Sequence, residues 1–289
     1  MILVLTGPTG SGKSDLALSL AKRLNAAIIN ADAFQVYQEL GIATAKPTAK
    51  MMASAPHYLY DFVPLTSSYN VAEYQADMRS VLHFCLEKNQ PVIIAGGTGL
   101  YIKAALYDYE FANQAAVDMS SFQAMNDEEL YAALLRFDPI SAESIHPHNR
   151  VRVLRAIEIF LATGERKSDR EAKQEHQPLY PVRFFALNQD REGLYEKVER
   201  RVDLMFDSGL LEETVPLIRK YGRDAAAFKA IGVKELFPYL DGQASLEETK
   251  DLIKKNTRNY IKRQLTWFRH QFDATWIENE EDLLAHLSV

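Results

Sequence analysis

Short solid runs of apolar residues alternate along the chain with longer stretches that have helical spacing. Ile2 to Leu5 and Pro91 to Ala95 are too short and too uniformly apolar for amphipathic helices, so each reads as a buried strand, as does Ala27 to Asp32, which ends in a carboxylate; Val182 to Leu187 reads as a further strand. Between them, Asp15 to Leu24 carries Leu16, Leu20 and Leu24 on one helical face. Tyr69 to Lys88 does the same with Val71, Tyr74, Met78, Val81, Leu82 and Cys85, and Ser68 or Asn70 stands at its start as a cap. Strands alternating with such helices predict an α/β fold, with a parallel sheet flanked by helices.

The pattern changes between about Phe111 and Pro181, where strand-like runs stop. Asp127 to Phe137 and Val151 to Thr163 read as helices, and Glu165 to His176 reads as a polar, exposed connection or arm. The predicted organisation is a core of residues 1–111 and 181–289 interrupted by an α-helical insertion domain, 112–180. Beyond the insertion, Leu194 to Phe206 and Leu252 to His270 are helical. The second has Ile253, Tyr260, Ile261, Leu265 and Phe268 on its apolar side, with Arg258, Lys262, Arg263 and Arg269 on a polar face of one sign. A basic stripe suits a nucleic-acid backbone, and a solvated face explains it equally well.

Chemistry enters where the first strand meets the first helix. Gly7-Pro8-Thr9-Gly10-Ser11-Gly12-Lys13-Ser14 is a G-x-x-x-x-G-K-S phosphate loop in its proper strand-to-helix context. Its backbone amides and the helix N-terminus form an anion cradle. Lys13 adds a full charge for terminal phosphates, and the Ser14 hydroxyl is placed to ligate Mg2+. Asp32, at the end of the second predicted strand, stands at the carboxyl edge of the sheet, where ligands gather in open α/β folds. The same residue would also serve as a helix cap. After the strand Val92 to Ala95, where a hydrolytic phosphate-loop enzyme usually carries a magnesium-holding acid, this chain has Gly96 and Gly97. Arg200 and Arg201 offer a guanidinium to a phosphate, or ion pairs to Glu196 or Glu199, and Lys46 is as easily a solvated lysine as a phosphate contact.

Composition narrows the class further. A net charge of −6 argues against a general nucleic-acid coat while leaving room for local basic patches. A single cysteine, Cys85, within an apolar helical pattern leaves no disulfide or four-ligand zinc site in one chain, so it is expected in the core. No apolar run reaches bilayer length and no charged n-region precedes the first strand, so the expected location is cytoplasmic.

In this order, several pieces resemble the bacterial tRNA dimethylallyltransferase (tRNA isopentenyltransferase) family along nearly the whole chain. They are the phosphate loop, Asn30-Ala31-Asp32 with Gln35-Val36-Tyr37, Gly41 to Pro47, and Gly96-Gly97-Thr98-Gly99-Leu100-Tyr101. Further on come Ile145-His146-Pro147 leading to Arg155-Ala156-Ile157-Glu158, Arg201-Val202-Asp203 with Gly209-Leu210, and Lys262-Arg263-Gln264-Leu265-Thr266-Trp267-Phe268-Arg269. The resemblance implies transfer of a dimethylallyl group from dimethylallyl diphosphate to the exocyclic amine of the adenine next to the anticodon on its 3′ side. It makes Asp32 the general base, gives the diphosphate and Mg2+ to Thr9 through Ser14, and sets Arg201 and Lys13 on the leaving diphosphate. Contact with the tRNA anticodon stem-loop is implied for Asp32, Ala33, Phe34, Gln35 and Thr98. It is implied also for Val151, Arg152, Val153, Leu154 and Arg155, and for Lys229, Ala230, Ile231, Gly232, Val233 and Lys234, with the protein a monomer. Ala33 departs from the serine usual in the family, which removes one hydrogen bond near the base, and the insertion is shorter than usual. A small-molecule or nucleotide kinase is the competing expectation, since it would share the loop and the core.

Overall fold

Six parallel strands, β1 (Ile2–Thr6), β2 (Ala27–Asn30), β3 (His57–Tyr58), β4 (Val92–Ala95), β5 (Val182–Leu187) and β6 (Thr275–Ile277), form one sheet in the order β3-β2-β4-β1-β5-β6 in the computed structural model. The structure describes residues 1–111 and 117–287. The centre of the sheet is buried on both faces: β1, β2 and β4 have no exposed residue. That explains why they read as unbroken apolar runs rather than as alternating ones. In register, Leu5 of β1 lies beside Ala95 of β4 and Thr6 beside Ala186 of β5. The carboxyl ends of β1, β2, β4 and β5 therefore end along one edge.

Local chemistry sets the helices around this sheet. The helix Val71–Glu87 starts at a capping box in which Asn70 accepts from the amides of Ala72 and Glu73 while Glu73 accepts from that of Asn70. Cys85 on this helix is in the core. The helix Gly99–Leu106 is apolar nearly all round and buried along most of its length, so periodicity could not reveal it. The basic helix is longer than its apolar stripe indicates, spanning Leu246–Gln271 from a capping box at Ser245.

The chain divides into two units, Met1–Leu106 with Tyr180–Val289 and Tyr107–Leu179. The predicted insertion begins at residue 112, and residues 112–116 lie outside those described. Within Tyr107–Leu179 the helices Asp127–Phe137 and Arg150–Thr163 share a core that includes Leu130, Leu134, Val153 and Ile157. Asp138 has no solvent-accessible surface and gathers the amide and hydroxyl of both Ser141 and Ser168. Burial alone would push this carboxyl up; the four hydrogen bonds outweigh it and hold the group down at about 2. The Ser168 partner lies on a short helix, Lys167–Lys173, where the sequence had suggested only an arm. Charged residues fill its exposed face, and one buried serine side chain ties it down.

Candidate functional site: an anion cradle facing a carboxylate

The phosphate loop runs from Gly7 to the N-terminus of the helix Lys13–Leu24. The first amides of a helix have no intrahelical partner, which leaves those of Lys13 and Ser14, two residues that line the cavity, for an anion. Gly10, at φ +79°, is required twice over. A Cβ there would come within 2.6 Å of Val198 Cγ2, so only glycine lets the loop lie against the helix Arg191–Asp207. That close approach brings Arg201, one turn beyond Val198, to the rim of the cradle. Arg200 points away and pairs with Glu196 at 3.5 Å, whereas Arg201 lines the pocket. The two readings that adjacent arginines left open are thus divided between them.

Lys13 folds back over the loop, donating to the Pro8 carbonyl at 2.6 Å. Part of the residue remains accessible, but its ammonium is crowded by protein. Burial lowers its pKa from 10.5 to about 7, Asp32 opposes the shift and Arg201 adds to it. Arg201 is likewise lowered by burial and raised by Asp32. Two cations that burial makes costly to keep charged, beside one carboxylate, form a site that a bound anion would stabilise. Because the folded pKa of Lys13 lies below its unfolded value, the folded protein binds fewer protons between about pH 7 and 10.5. On this account stability rises with pH across that window, and below it the penalty is present in full. An anion that restores the charge must draw in a proton. Calorimetry of inorganic pyrophosphate binding in buffers of different ionisation enthalpy is expected to show more proton uptake at pH 8 for the wild type than for Lys13→Met, with the difference vanishing near pH 6.

Asp32 is held from behind. Asn30, buried at the end of β2, accepts from the Asp32 amide at 2.9 Å and donates to its carbonyl at 3.1 Å and to that of Leu59 at 2.9 Å. Tyr74 fixes the Asn30 carbonyl in turn. Asp32 Oδ1 accepts from the amide of Phe34 at 2.9 Å, closing a side-chain turn, and Oδ2 receives no hydrogen bond among the described residues. No helix follows it, so the cap reading does not hold. Thr98 Oγ1 accepts from the Ala33 amide at 3.0 Å. Gln264 makes the bridge that sequence reasoning passed over, with Oε1 accepting from the Thr9 amide and Nε2 donating to the Gly97 carbonyl, both at 2.9 Å. It sits within a long helix, and only the fold brings residues 9, 97 and 264 together.

Two cavities meet at Thr9, Asp32, Thr44 and Arg201. One, of about 380 Å³, holds the phosphate loop, Lys13, Ser14, Gln35 and Gly96-Gly97. The other, of about 240 Å³, has Phe34, Val198, Val202, Met205, Ala230, Ile231 and Ile253 on its apolar walls, and Lys229, Lys234, Tyr260 and Arg263 around them. Burial raises the Tyr260 phenol to about 12, so it stays protonated beside Asp32.

The remaining expected residues fall into two groups. Lys229, which ends the 3-10 helix Ala226–Lys229, and Lys234 in the turn after it are exposed, while Ala230, Gly232 and Val233 are buried. Val151, Arg152 and Arg155 are exposed on the helix Arg150–Thr163; Val153 is core, Leu154 is partly buried, and Arg155 pairs with Glu158 at 2.7 Å. That helix belongs to the Tyr107–Leu179 unit, and the cavities belong to the other. The one-sign face of the basic helix is partly neutralised: Arg258 pairs with Glu199, and Lys254 with Asp203 at 2.7 Å. Lys46 is spent on Asp61 and the Tyr37 carbonyl. Among the described residues no three His, Cys, Asp or Glu gather to hold a metal. Ser14 Oγ makes no hydrogen bond with them and lines the phosphate cavity, so it fits Mg2+ only where phosphate oxygens complete the shell.

Fold and site together put the chain among the phosphate-loop α/β proteins. A family model described as IPP transferase matches residues 35–271, and the chain belongs to that family. It is 42% identical, over 100% of its own length and 93% of the relative's, to a tRNA dimethylallyltransferase of Anoxybacillus flavithermus. Among solved structures it is similar to a tRNA delta(2)-isopentenylpyrophosphate transferase of Staphylococcus epidermidis, with 34% identity, a TM-score of 0.74, and 99% and 97% of the two chains covered. It is also similar to a eukaryotic dimethylallyltransferase acting on tRNA, with 26% identity, a TM-score of 0.86, and 96% of this chain and 73% of that one covered.

Proposed function

We propose that the protein transfers the dimethylallyl group of dimethylallyl diphosphate to the exocyclic amine of the adenine 3′-adjacent to a tRNA anticodon, releasing diphosphate. The observation that carries this reading is the meeting of an anion cavity and an apolar, cation-edged cavity at Asp32. Relatives named tRNA dimethylallyltransferase support it.

An amine on an aromatic ring is a weak nucleophile, because its lone pair is delocalised. Asp32 Oδ2, which receives no hydrogen bond among the described residues, accepts the amine proton as nitrogen bonds to the allylic carbon, while Oδ1 stays anchored to Phe34. The bond from that carbon to the diphosphate oxygen breaks, and the charge released there falls to the loop amides, Lys13 and Arg201. Mg2+ held by Ser14 and the diphosphate would supply further neutralisation of that charge. The adenine must leave its stack to reach Asp32, which an anticodon loop allows at less cost than a duplex. Lys229, Lys234 and the exposed residues of Val151–Arg155 then serve the RNA backbone. The reading includes a cytoplasmic monomer; no helix of the described residues is long and apolar enough to cross a membrane.

A kinase would use the same loop, but here Gly96 and Gly97 follow β4 where an acid would assist magnesium. Mass spectrometry of nucleosides from unmodified tRNA, after incubation with the pure protein, dimethylallyl diphosphate and Mg2+, is expected to show adenosine heavier by one dimethylallyl group. Unchanged tRNA together with ATP-dependent phosphorylation of a small acceptor would overturn the proposal.

A further inference from the structure

We propose that Glu213 is a positioning residue for the anion site: its carboxylate pins the segment that forms one wall of the phosphate cavity. Glu213 Oε2 accepts from the amides of Gly41 and Ile42, both at 2.8 Å, and Oε1 accepts from that of Ala43 at 2.9 Å. Three successive backbone N–H groups converging on one carboxylate form an anion-binding nest, and each hydrogen bond is strengthened by the charge. The nest already holds a resident anion, so these amides are not available to a substrate.

The residues that follow the nest are the cavity wall. Thr44, Ala45, Lys46 and Pro47 all line the phosphate cavity, and Ala43 and Thr44 also line its neighbour. Ala45 adopts φ +49°, a left-handed conformation that a non-glycine residue keeps only where its surroundings enforce it. The turn's own hydrogen bonds, from the Ala45 amide to the Ile42 carbonyl and from the Lys46 amide to the Gly41 carbonyl, both at 3.0 Å, do part of this, and two side chains do the rest. Gln35 Nε2 donates to the carbonyls of Thr44 and Ala45, each at 3.0 Å, and Glu213 fixes the preceding amides. Glu213 in turn sits on a firm base, in the first turns of the helix Leu210–Tyr221, with its own amide donating to the Gly209 carbonyl at 2.9 Å and the buried Thr214 beside it. The wall therefore stands in place before an anion arrives. Without Glu213 the anion would have to order it, at a cost in affinity.

The inference rests on the reading of this cavity as the diphosphate site, and its test is built so that the two can fail separately. Inorganic pyrophosphate binding is measured by calorimetry, well below the unfolding temperature, for the wild type, Glu213→Gln and Glu213→Ala. The KM for dimethylallyl diphosphate in tRNA modification is measured alongside. The amide of glutamine keeps one accepting oxygen and turns an N–H toward the loop amides, so the series is graded. Pyrophosphate affinity is expected to fall about threefold in Glu213→Gln and about tenfold or more in Glu213→Ala. KM should rise in the same proportion while kcat at saturation changes less than about threefold. A merely structural role would lower the melting temperature and leave the affinity of the folded protein untouched, and that result overturns the inference. If Glu213→Ala does not fold, wild-type affinity in folded Glu213→Gln overturns it equally. Should the wild type bind pyrophosphate yet leave tRNA unmodified, the proposed reaction fails and the binding series still decides the role of Glu213.

Discussion

Asp32→Asn is expected to lower the rate of adenine alkylation by about a thousandfold, within the range over which a positioned general base contributes to catalysis, without unfolding the protein. Asparagine keeps an oxygen for the Phe34 amide, so the side-chain turn survives, and the backbone of residue 32 stays tied to Asn30. Only the capacity to accept a proton is lost. Single-turnover rates, with enzyme and dimethylallyl diphosphate in saturating excess over tRNA, check this, with the melting curve as control. A variant retaining a tenth or more of the wild-type rate would remove Asp32 as the base. Pyrophosphate affinity offers a second view of the same substitution. Removing the carboxylate charge beside Lys13 and Arg201 should leave it unchanged or tighter, because a negative neighbour of the anion is gone.

Gly96→Ala carries the largest expected cost in stability. A Cβ at this position would lie 2.2 Å from both the carbonyl carbon and the carbonyl oxygen of Ala31, which are backbone atoms with nowhere to go. The Ala31 amide also donates to the Ala95 carbonyl at 2.9 Å, and the Thr98 amide to the Ala31 carbonyl at 3.0 Å. Relief of the clash must therefore spread the ends of β2 and β4. A loss above about 4 kcal/mol is expected, in the tail reserved for broken backbone geometry, and in practice insoluble or molten protein. Urea unfolding checks it. A soluble Gly96→Ala variant within about 1 kcal/mol of wild type would show that the two strand ends separate more easily than this packing implies.

What could be read in advance followed the range of the forces concerned. The phosphate loop, β1, β2, β4 and β5 were visible because their signals are local: a solid apolar run, a glycine spacing, a cap. The strands β3 and β6 are two and three residues long at the sheet edges, too short for any pattern to register. The helix Leu210–Tyr221 went unread, and with it Glu213, whose partners lie some 170 positions earlier in the chain. Gln264 was visible as part of a motif, but not as the bridge between Thr9 and Gly97. Charge was the least legible property. Arg258 looked like one member of a cationic stripe, and its Glu199 partner comes from a different helix. The division of labour between Arg200 and Arg201 likewise depends on which side of a helix faces Gly10.

β1 takes β4 as one neighbour and β5 as the other, and the whole Tyr107–Leu179 unit lies between those two in the chain. On the ribosome, the strand that leads into the active loop thus waits with one flank unpaired until nearly two-thirds of the polypeptide has emerged. Meanwhile the intervening helices, with a nucleus of apolar side chains to themselves, are free to condense. Synthesis is therefore a period in which the half-built sheet is sticky, and a pause in translation just before β5 would prolong that exposure.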